Sequence, residues 1–125
     1  MSPILIVDDE PKIRKFLRIM LEKAGYQIVE ASNGKECINL CKTAPPAIVL
    51  MDIIMPELDG ISSLREIKKM NHAIKVIAIS GGSVFTPEVY LDEAVCQGAD
   101  YCLSKPIDRE VLIKATEELQ INLSA

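Results

Sequence analysis

The sequence predicts an α/β fold: five βα units wound into one parallel sheet, with helices on both faces. Two observations predict it. Short apolar runs rich in β-branched residues alternate strictly with stretches of helical spacing along the 125 residues. The runs are continuously apolar, as strands covered on both faces are. A third observation concerns function. Four of the five runs stop at chemistry-bearing residues: Asp8-Asp9, Asp52, Ser80 and Lys105.

The first run, Ile4 to Val7, reads as a buried strand that halts at Asp8, Asp9 and Glu10. Pro11 suits the first turn of a helix and Gly25 its C-terminal end. Between them Ile13, Phe16, Leu17, Met20, Leu21 and Ala24 make one apolar stripe. Gln27 to Ala31 is the second strand. Asn33-Gly34 turns the chain into a helix carrying Cys37, Ile38, Leu40 and Cys41, which Pro45-Pro46 ends. Ala47 to Met51 is the third strand, stopping at Asp52. After the loop IIMPELDG, Asp59 caps a helix that holds Ile61, Leu64, Ile67 and Lys68. Lys75 to Ile79 is the fourth strand, stopping at Ser80. The loop GGSVFTP leads to a fourth helix, with Thr86 as cap and Pro87 in its first turn, running toward Gly98. Tyr101 to Ser104 is the fifth strand, stopping at Lys105-Pro106. Asp108 caps a last helix reaching about Gln120. No repeat or linker interrupts this order, so residues 1–125 are expected to form one domain without an effector domain.

Composition narrows the function classes. With 49% apolar residues the chain can bury a real core. Its net charge of −4 argues against a general nucleic-acid binder. No apolar stretch is long enough to cross a bilayer, and MSPILIVDDE does not have the form of a secretory leader. The cysteines Cys37, Cys41, Cys96 and Cys102 are few and unclustered, which points to reduced thiols in the cytoplasm. Cys37 and Cys41 have metal-ligand spacing on a helix, but no second pair completes a site, so they read as core residues. His72 reads as a solvated loop residue.

In an open α/β sheet, ligands bind beyond the carboxyl ends of the strands. Asp8, Asp9, Asp52, Ser80 and Lys105 all belong there. Carboxylates gathered at the end of an apolar sheet repel one another and are costly to bury unpaired. A divalent cation relieves this, and an all-oxygen donor set suits Mg²⁺. Asp8-Asp9 alone would fit a solvated acidic loop equally well; acids at two strand ends, with Ser and Lys at two others, favour a site. A carboxylate can act as nucleophile and form an acyl phosphate, with the cation neutralising the phosphoryl oxygens. Lys105 would add a point charge and Ser80 a hydrogen bond.

With Asp8-Asp9 after the first strand, Asp52 in VLMDIIMPELDG, Ser80 after IAI, and Lys105-Pro106 in GADYCLSKP, the sequence resembles the receiver domain of two-component response regulators, the CheY-like fold. The resemblance covers nearly the whole chain. It implies a doubly wound, flavodoxin-like five-stranded sheet of order 2-1-3-4-5. It implies that Asp52 accepts a phosphoryl group from a sensor histidine kinase or a histidine phosphotransfer protein. Asp8, Asp9, Asp52 and the Ile54 carbonyl would hold Mg²⁺, and Ser80 and Lys105 would contact the phosphoryl group. The Lys105-Pro106 bond would be cis. Phosphorylation would shift the surface of the fourth helix, fifth strand and fifth helix and so select a downstream protein, without nucleic acid or membrane bound by this domain. A two-fold homodimer through that face also fits the resemblance. The domain would act alone or ahead of an output domain.

The sequence departs from the family pattern at two places. The position three before the lysine, commonly the aromatic that moves with the switch, is Cys102; Tyr101 is one earlier and on the opposite strand face, a packing residue by this reading. The segment from Ser80 to Gly98 is longer than usual, with the extra length in GGSVFTP. Ile54 and Gly82, at positions that modulate dephosphorylation in the family, offer no polar side chain to position water, so a phosphoryl lifetime that is not short is expected. Three alternatives fit less well. A phosphohydrolase with an aspartyl nucleophile wants an acid at Ile54. A nucleotide- or flavin-binding domain wants Gly, Ser or Thr where Asp8-Asp9-Glu10 stands. A receiver that never gains phosphoryl would not need the intact set Asp8, Asp9, Asp52, Ser80 and Lys105.

Overall fold

A computed structural model of the chain describes residues 3–52, 60–71, 73–80, 98–104 and 106–124. Its strands are β1 (Ile4–Val7), β2 (Ile28–Ala31), β3 (Ile48–Asp52), β4 (Lys75–Ser80) and β5 (Tyr101–Ser104). The helices are α1 (Pro11–Lys23), α2 (Gly34–Thr43), α3 (Gly60–Met70) and a C-terminal helix (Arg109–Ser124). The strands form one five-stranded sheet of order β2-β1-β3-β4-β5, and every neighbouring pair is parallel. This is the predicted doubly wound α/β fold. The expected cap Asp59, the fourth helix from Thr86 and Pro87, the loop glycines Gly81 and Gly82, His72 and Cys96 lie outside the described residues.

Side chains alternate across a strand, and here both faces are covered. On one face Ile4, Ile6, Ile48, Leu50, Ile77, Ile79 and Leu103 pack against Leu17 and Leu21 of α1 and Leu112, Ala115 and Leu119 of the C-terminal helix. On the other, Leu5, Val7, Val49, Met51, Val76 and Ala78 pack against Cys37 and Cys41 of α2 and Leu64 and Ile67 of α3. Two-sided burial is why the central strands read as unbroken apolar runs. Edge strand β2 is different: Val29 is exposed and Glu30 half-buried.

Helix ends follow from local chemistry. At α1, Pro11 occupies the first turn, where its missing N–H costs nothing. The helix closes in a Schellman turn: Tyr26 N–H donates to the Leu21 carbonyl at 3.1 Å and Gly25 N–H to that of Glu22 at 3.0 Å. The turn needs the left-handed backbone of Gly25, φ +98°. Asn33 caps α2 by accepting the Glu36 N–H at 2.8 Å. Asp108 caps the C-terminal helix by accepting from Val111 N–H at 3.1 Å.

The structure refines several expectations. β3 and β4 each run one residue further than predicted, so Asp52 and Ser80 lie in the sheet, Asp52 opposite Ile79 and Ser80 opposite Ser104. β2 and β3 each begin one residue later, at Ile28 and Ile48. The last helix continues past Gln120 to Ser124, because neither Gly nor Pro interrupts that stretch. The apolar stripe of α1 is narrower than its sequence pattern. Leu17, Met20 and Leu21 are buried, while Phe16 is 51% exposed. A helix resting on a sheet covers an arc of about 100°, and Phe16 falls beyond it.

Leu50, in the middle of β3, has no exposed surface. Leu50→Ala should lose about 2–5 kcal/mol of stability by opening a cavity under α1. Urea denaturation followed by circular dichroism measures this, and a loss below about 1 kcal/mol would mean the site collapses around the gap.

Candidate functional site

The carboxyl end of β1 carries the first part of the site. Asp8 lies just past β1, its N–H still donating to the Ala31 carbonyl at 3.2 Å. Its Oδ1 accepts the Glu10 N–H at 2.9 Å, a local turn that directs the chain into α1. Arg14 Nη1 donates to the Asp8 carbonyl at 2.6 Å. Asp8 is 2% exposed, whereas Asp9 and Glu10 face solvent. One carboxylate oxygen from each of Asp8, Asp9 and Glu10 lies within 4.8 Å of the others.

The sheet register brings the second part alongside. Val7 pairs with Met51, so Asp8 and Asp52 occupy the next positions on neighbouring strands, about 4.8 Å apart. Alternation sends both side chains to the α1 face, following Ile6 and Leu50. Asp52 is 6% exposed. Two buried carboxylates thus flank one another, and Asp9 brings a third from the solvent side. Ser80 ends β4 on the far side of Asp52. The Ser80 side chain, Lys105 with its peptide bond to Pro106, and Ile54 lie outside the described residues.

The donor set fits a hard divalent cation. Every donor is a carboxylate oxygen, the charges are close enough to repel, and two of the three, Asp9 and Glu10, are open to water. Glu10 joins this group although the sequence reading left it out of the ligand set; its place in the acidic triplet was the available signal.

Sequence reasoning also missed Arg14 and Glu30. Arg14 Nε donates to Glu30 Oε1 at 3.0 Å, and Arg18 Nη1 reaches Glu30 Oε2 at 2.7 Å. A carboxylate in the middle of the apolar strand IVEA was the signal: an acid there needs a cation from the helix above it.

Tyr101 and Cys102 separate as strand neighbours should. Tyr101 packs against the cluster under α1 and the C-terminal helix, in keeping with a packing role. Cys37 and Cys41 are buried one turn apart in the cluster under α2 and α3. The hydrogen bond they share, with burial, pushes the Cys37 thiol up, and the same bond lowers Cys41, which accepts it.

Comparison with known proteins gives a consistent picture. The response regulator receiver domain family matches residues 4–117. The chain is 40% identical over 116 residues to protein PilH of Pseudomonas aeruginosa, covering 91% of this chain and 93% of that protein. It is 35% identical over 117 residues to the chemotaxis protein CheY of Thermotoga maritima, covering 93% and 95%. The receiver domain of NtrX from Brucella abortus superposes with a TM-score of 0.87 at 29% identity, over 98% of each chain.

Like charges this close destabilise the cation-free protein. Asp9→Asn should raise the urea midpoint in EDTA and abolish any further rise on adding Mg²⁺. A lower midpoint in EDTA would mean that Asp9 makes a stabilising contact outweighing the repulsion.

Proposed function

The chain belongs to the response regulator receiver family, and on that premise we propose that it is a Mg²⁺-dependent phospho-switch whose phosphoryl acceptor is Asp52. Receiver domains are signalling switches, not classical enzymes; they accept phosphoryl from histidine kinases and act on downstream targets. The observation that carries the proposal is the pairing of two buried carboxylates, Asp8 and Asp52, on adjacent strand ends, beside the exposed Asp9.

In this reading an Asp52 carboxylate oxygen attacks the phosphorus of a phosphohistidine on the kinase or phosphotransfer partner. The P–N bond breaks, a P–O bond forms, and the imidazole leaves with its electron pair, taking up a proton. Asp8, Asp9, Asp52 and the Ile54 carbonyl would hold Mg²⁺, which supplies charge neutralisation at the phosphoryl oxygens when bound. Lys105 contributes a further positive charge and Ser80 a hydroxyl to the same oxygens. Asp8 is suited to hold rather than react, because its Oδ1 already accepts the Glu10 N–H. Asp52 lies between β1 and β4 at the line where all these groups would meet.

The domain would catalyse only its own phosphorylation and dephosphorylation. Its output would be a change in the surface formed by the fourth helix, fifth strand and fifth helix, selecting a protein partner or a second copy of the chain. The 125 residues would be one receiver domain acting in the cytoplasm. Among the described residues no helix is long and apolar enough to cross a membrane.

The decisive experiment is intact-protein mass spectrometry after incubation with acetyl phosphate or phosphoramidate. Wild type should gain one phosphoryl group only with Mg²⁺ present, and Asp52→Asn should gain none. A wild type that binds Mg²⁺ yet forms no adduct would point to a receiver working through protein contacts alone. With Ile54 and Gly82 unable to position water, the phosphorylated protein should outlast a time course of minutes at neutral pH. Loss of the label within seconds would overturn that expectation.

A further inference from the structure

The positively charged cluster behind the acidic corner is not explained by the phosphoacceptor chemistry. We propose that Arg14, oriented by Glu30, is a positioning residue that sets the cation affinity of the site through the backbone of Asp8. The proposal rests on the reading of the acidic corner as a Mg²⁺ site.

The geometry runs through one peptide unit. Asp8 follows the last residue of β1, and its N–H still finds the Ala31 carbonyl at 3.2 Å. β2 ends at Ala31, where its chain turns toward the cap of α2 at Asn33. In a parallel ladder the next backbone donor for Asp8 would come from beyond Ala31. A side chain reaches the Asp8 carbonyl instead: Arg14 Nη1, at 2.6 Å. That carbonyl belongs to the peptide linking Asp8 to Asp9, so its orientation decides where the Asp9 carboxylate stands relative to Asp8.

Arg14 is itself held. Its Nε donates to Glu30 Oε1 at 3.0 Å, with 17% and 25% of the two side chains exposed. Glu30 is fixed from the other side by Arg18 at 2.7 Å, and Arg18 Nη2 donates to the Ile28 carbonyl at 3.2 Å. The guanidinium fork thus ties α1, β2 and the end of β1 into one unit. A lysine's donors radiate from a single nitrogen, so it lacks the rigid planar fork in which Nε meets Glu30 while Nη1 meets the Asp8 carbonyl.

Charge and position make opposite predictions. If Arg14 acted only as a nearby cation, removing it would tighten Mg²⁺ binding, and lysine would replace it without loss. If it positions the peptide, both changes weaken binding. Groups that orient metal ligands from behind typically change affinity by about 10–100-fold; an effect relayed through a backbone carbonyl belongs at the lower end, about ten-fold.

The test is calorimetric titration of Mg²⁺ into wild type, Arg14→Lys, Arg14→Met and Glu30→Gln. Amide hydrogen exchange of Asp9 and Glu10 is measured in EDTA on the same proteins. Lys15→Met, exposed on the same helix, is the control and should match wild type. Binding weakened about ten-fold in all three variants, with faster exchange at Asp9 and Glu10, supports the proposal. Unchanged affinity in Arg14→Lys, or tighter binding in Arg14→Met, overturns it. Glu30→Gln also loses a negative charge and would weaken binding by charge alone; if the Arg14 variants fold poorly, its exchange at Asp9 and Glu10 in EDTA decides the matter, faster exchange supporting the proposal and unchanged exchange overturning it. A wild type without Mg²⁺ affinity overturns the metal reading along with this one, while its exchange data still report whether Arg14 holds the peptide.

Discussion

Everything at the carboxyl edge depends on the parallel pairing of β1 with β3. Val7 opposite Met51 makes Asp8 and Asp52 side-by-side neighbours, two acids that lie far apart in the chain. A slip of one residue would turn one of the two carboxylates to the other face, among Val7, Met51 and Leu64. The apolar side chains on both faces prevent that slip. Each strand must satisfy two layers of helices at once, so the packing that builds the core also aligns the acids.

Alignment has a cost, because two carboxylates at the end of an apolar sheet repel and are poorly solvated. Contacts among the described residues meet part of it. Locally, the Glu10 N–H binds Asp8 Oδ1, so part of the charge is taken up by a backbone dipole. At longer range, Arg14 and Arg18 converge on Glu30 and the carbonyls of Asp8 and Ile28. The half-buried edge strand β2 therefore contributes more than a fifth strand. It carries the acid that holds the arginines in place.

The opposite end of the sheet is tied together by side-chain bonds. Lys68 of α3 donates to the Ile74 carbonyl and to Asp100 Oδ2, both at 2.8 Å. The same Asp100 oxygen accepts the Val76 N–H at 2.9 Å. One carboxylate so joins α3, β4 and the approach to β5. Just before it, Gly98 adopts φ +103°, a conformation glycine takes without strain. Charges at this end pair within the protein, while the carboxyl end gathers the acids Asp8, Asp9 and Asp52. The asymmetry matches the division of labour in open α/β sheets, where ligands meet the carboxyl ends of strands.

The sequence by itself determined the order of the described elements, the parallel sheet and the strand-end positions of Asp8, Asp9 and Asp52, because these depend on local pattern: apolar runs, caps and the residues at which runs stop. Pro11, Gly25, Asn33 and Asp108 were legible for the same reason, since each acts on its immediate backbone. The tertiary structure alone decided which side of α1 is buried, leaving Phe16 outside, because the width of the covered arc depends on how the helix rests on the sheet. It alone joined Lys68 to Asp100 and Arg14 to Glu30 and the Asp8 carbonyl. Such pairs span 32, 16 and 6 residues and leave no periodic trace. A long side chain chooses its partner only after folding has set the distances, and a backbone carbonyl as acceptor has no residue type for a sequence to display.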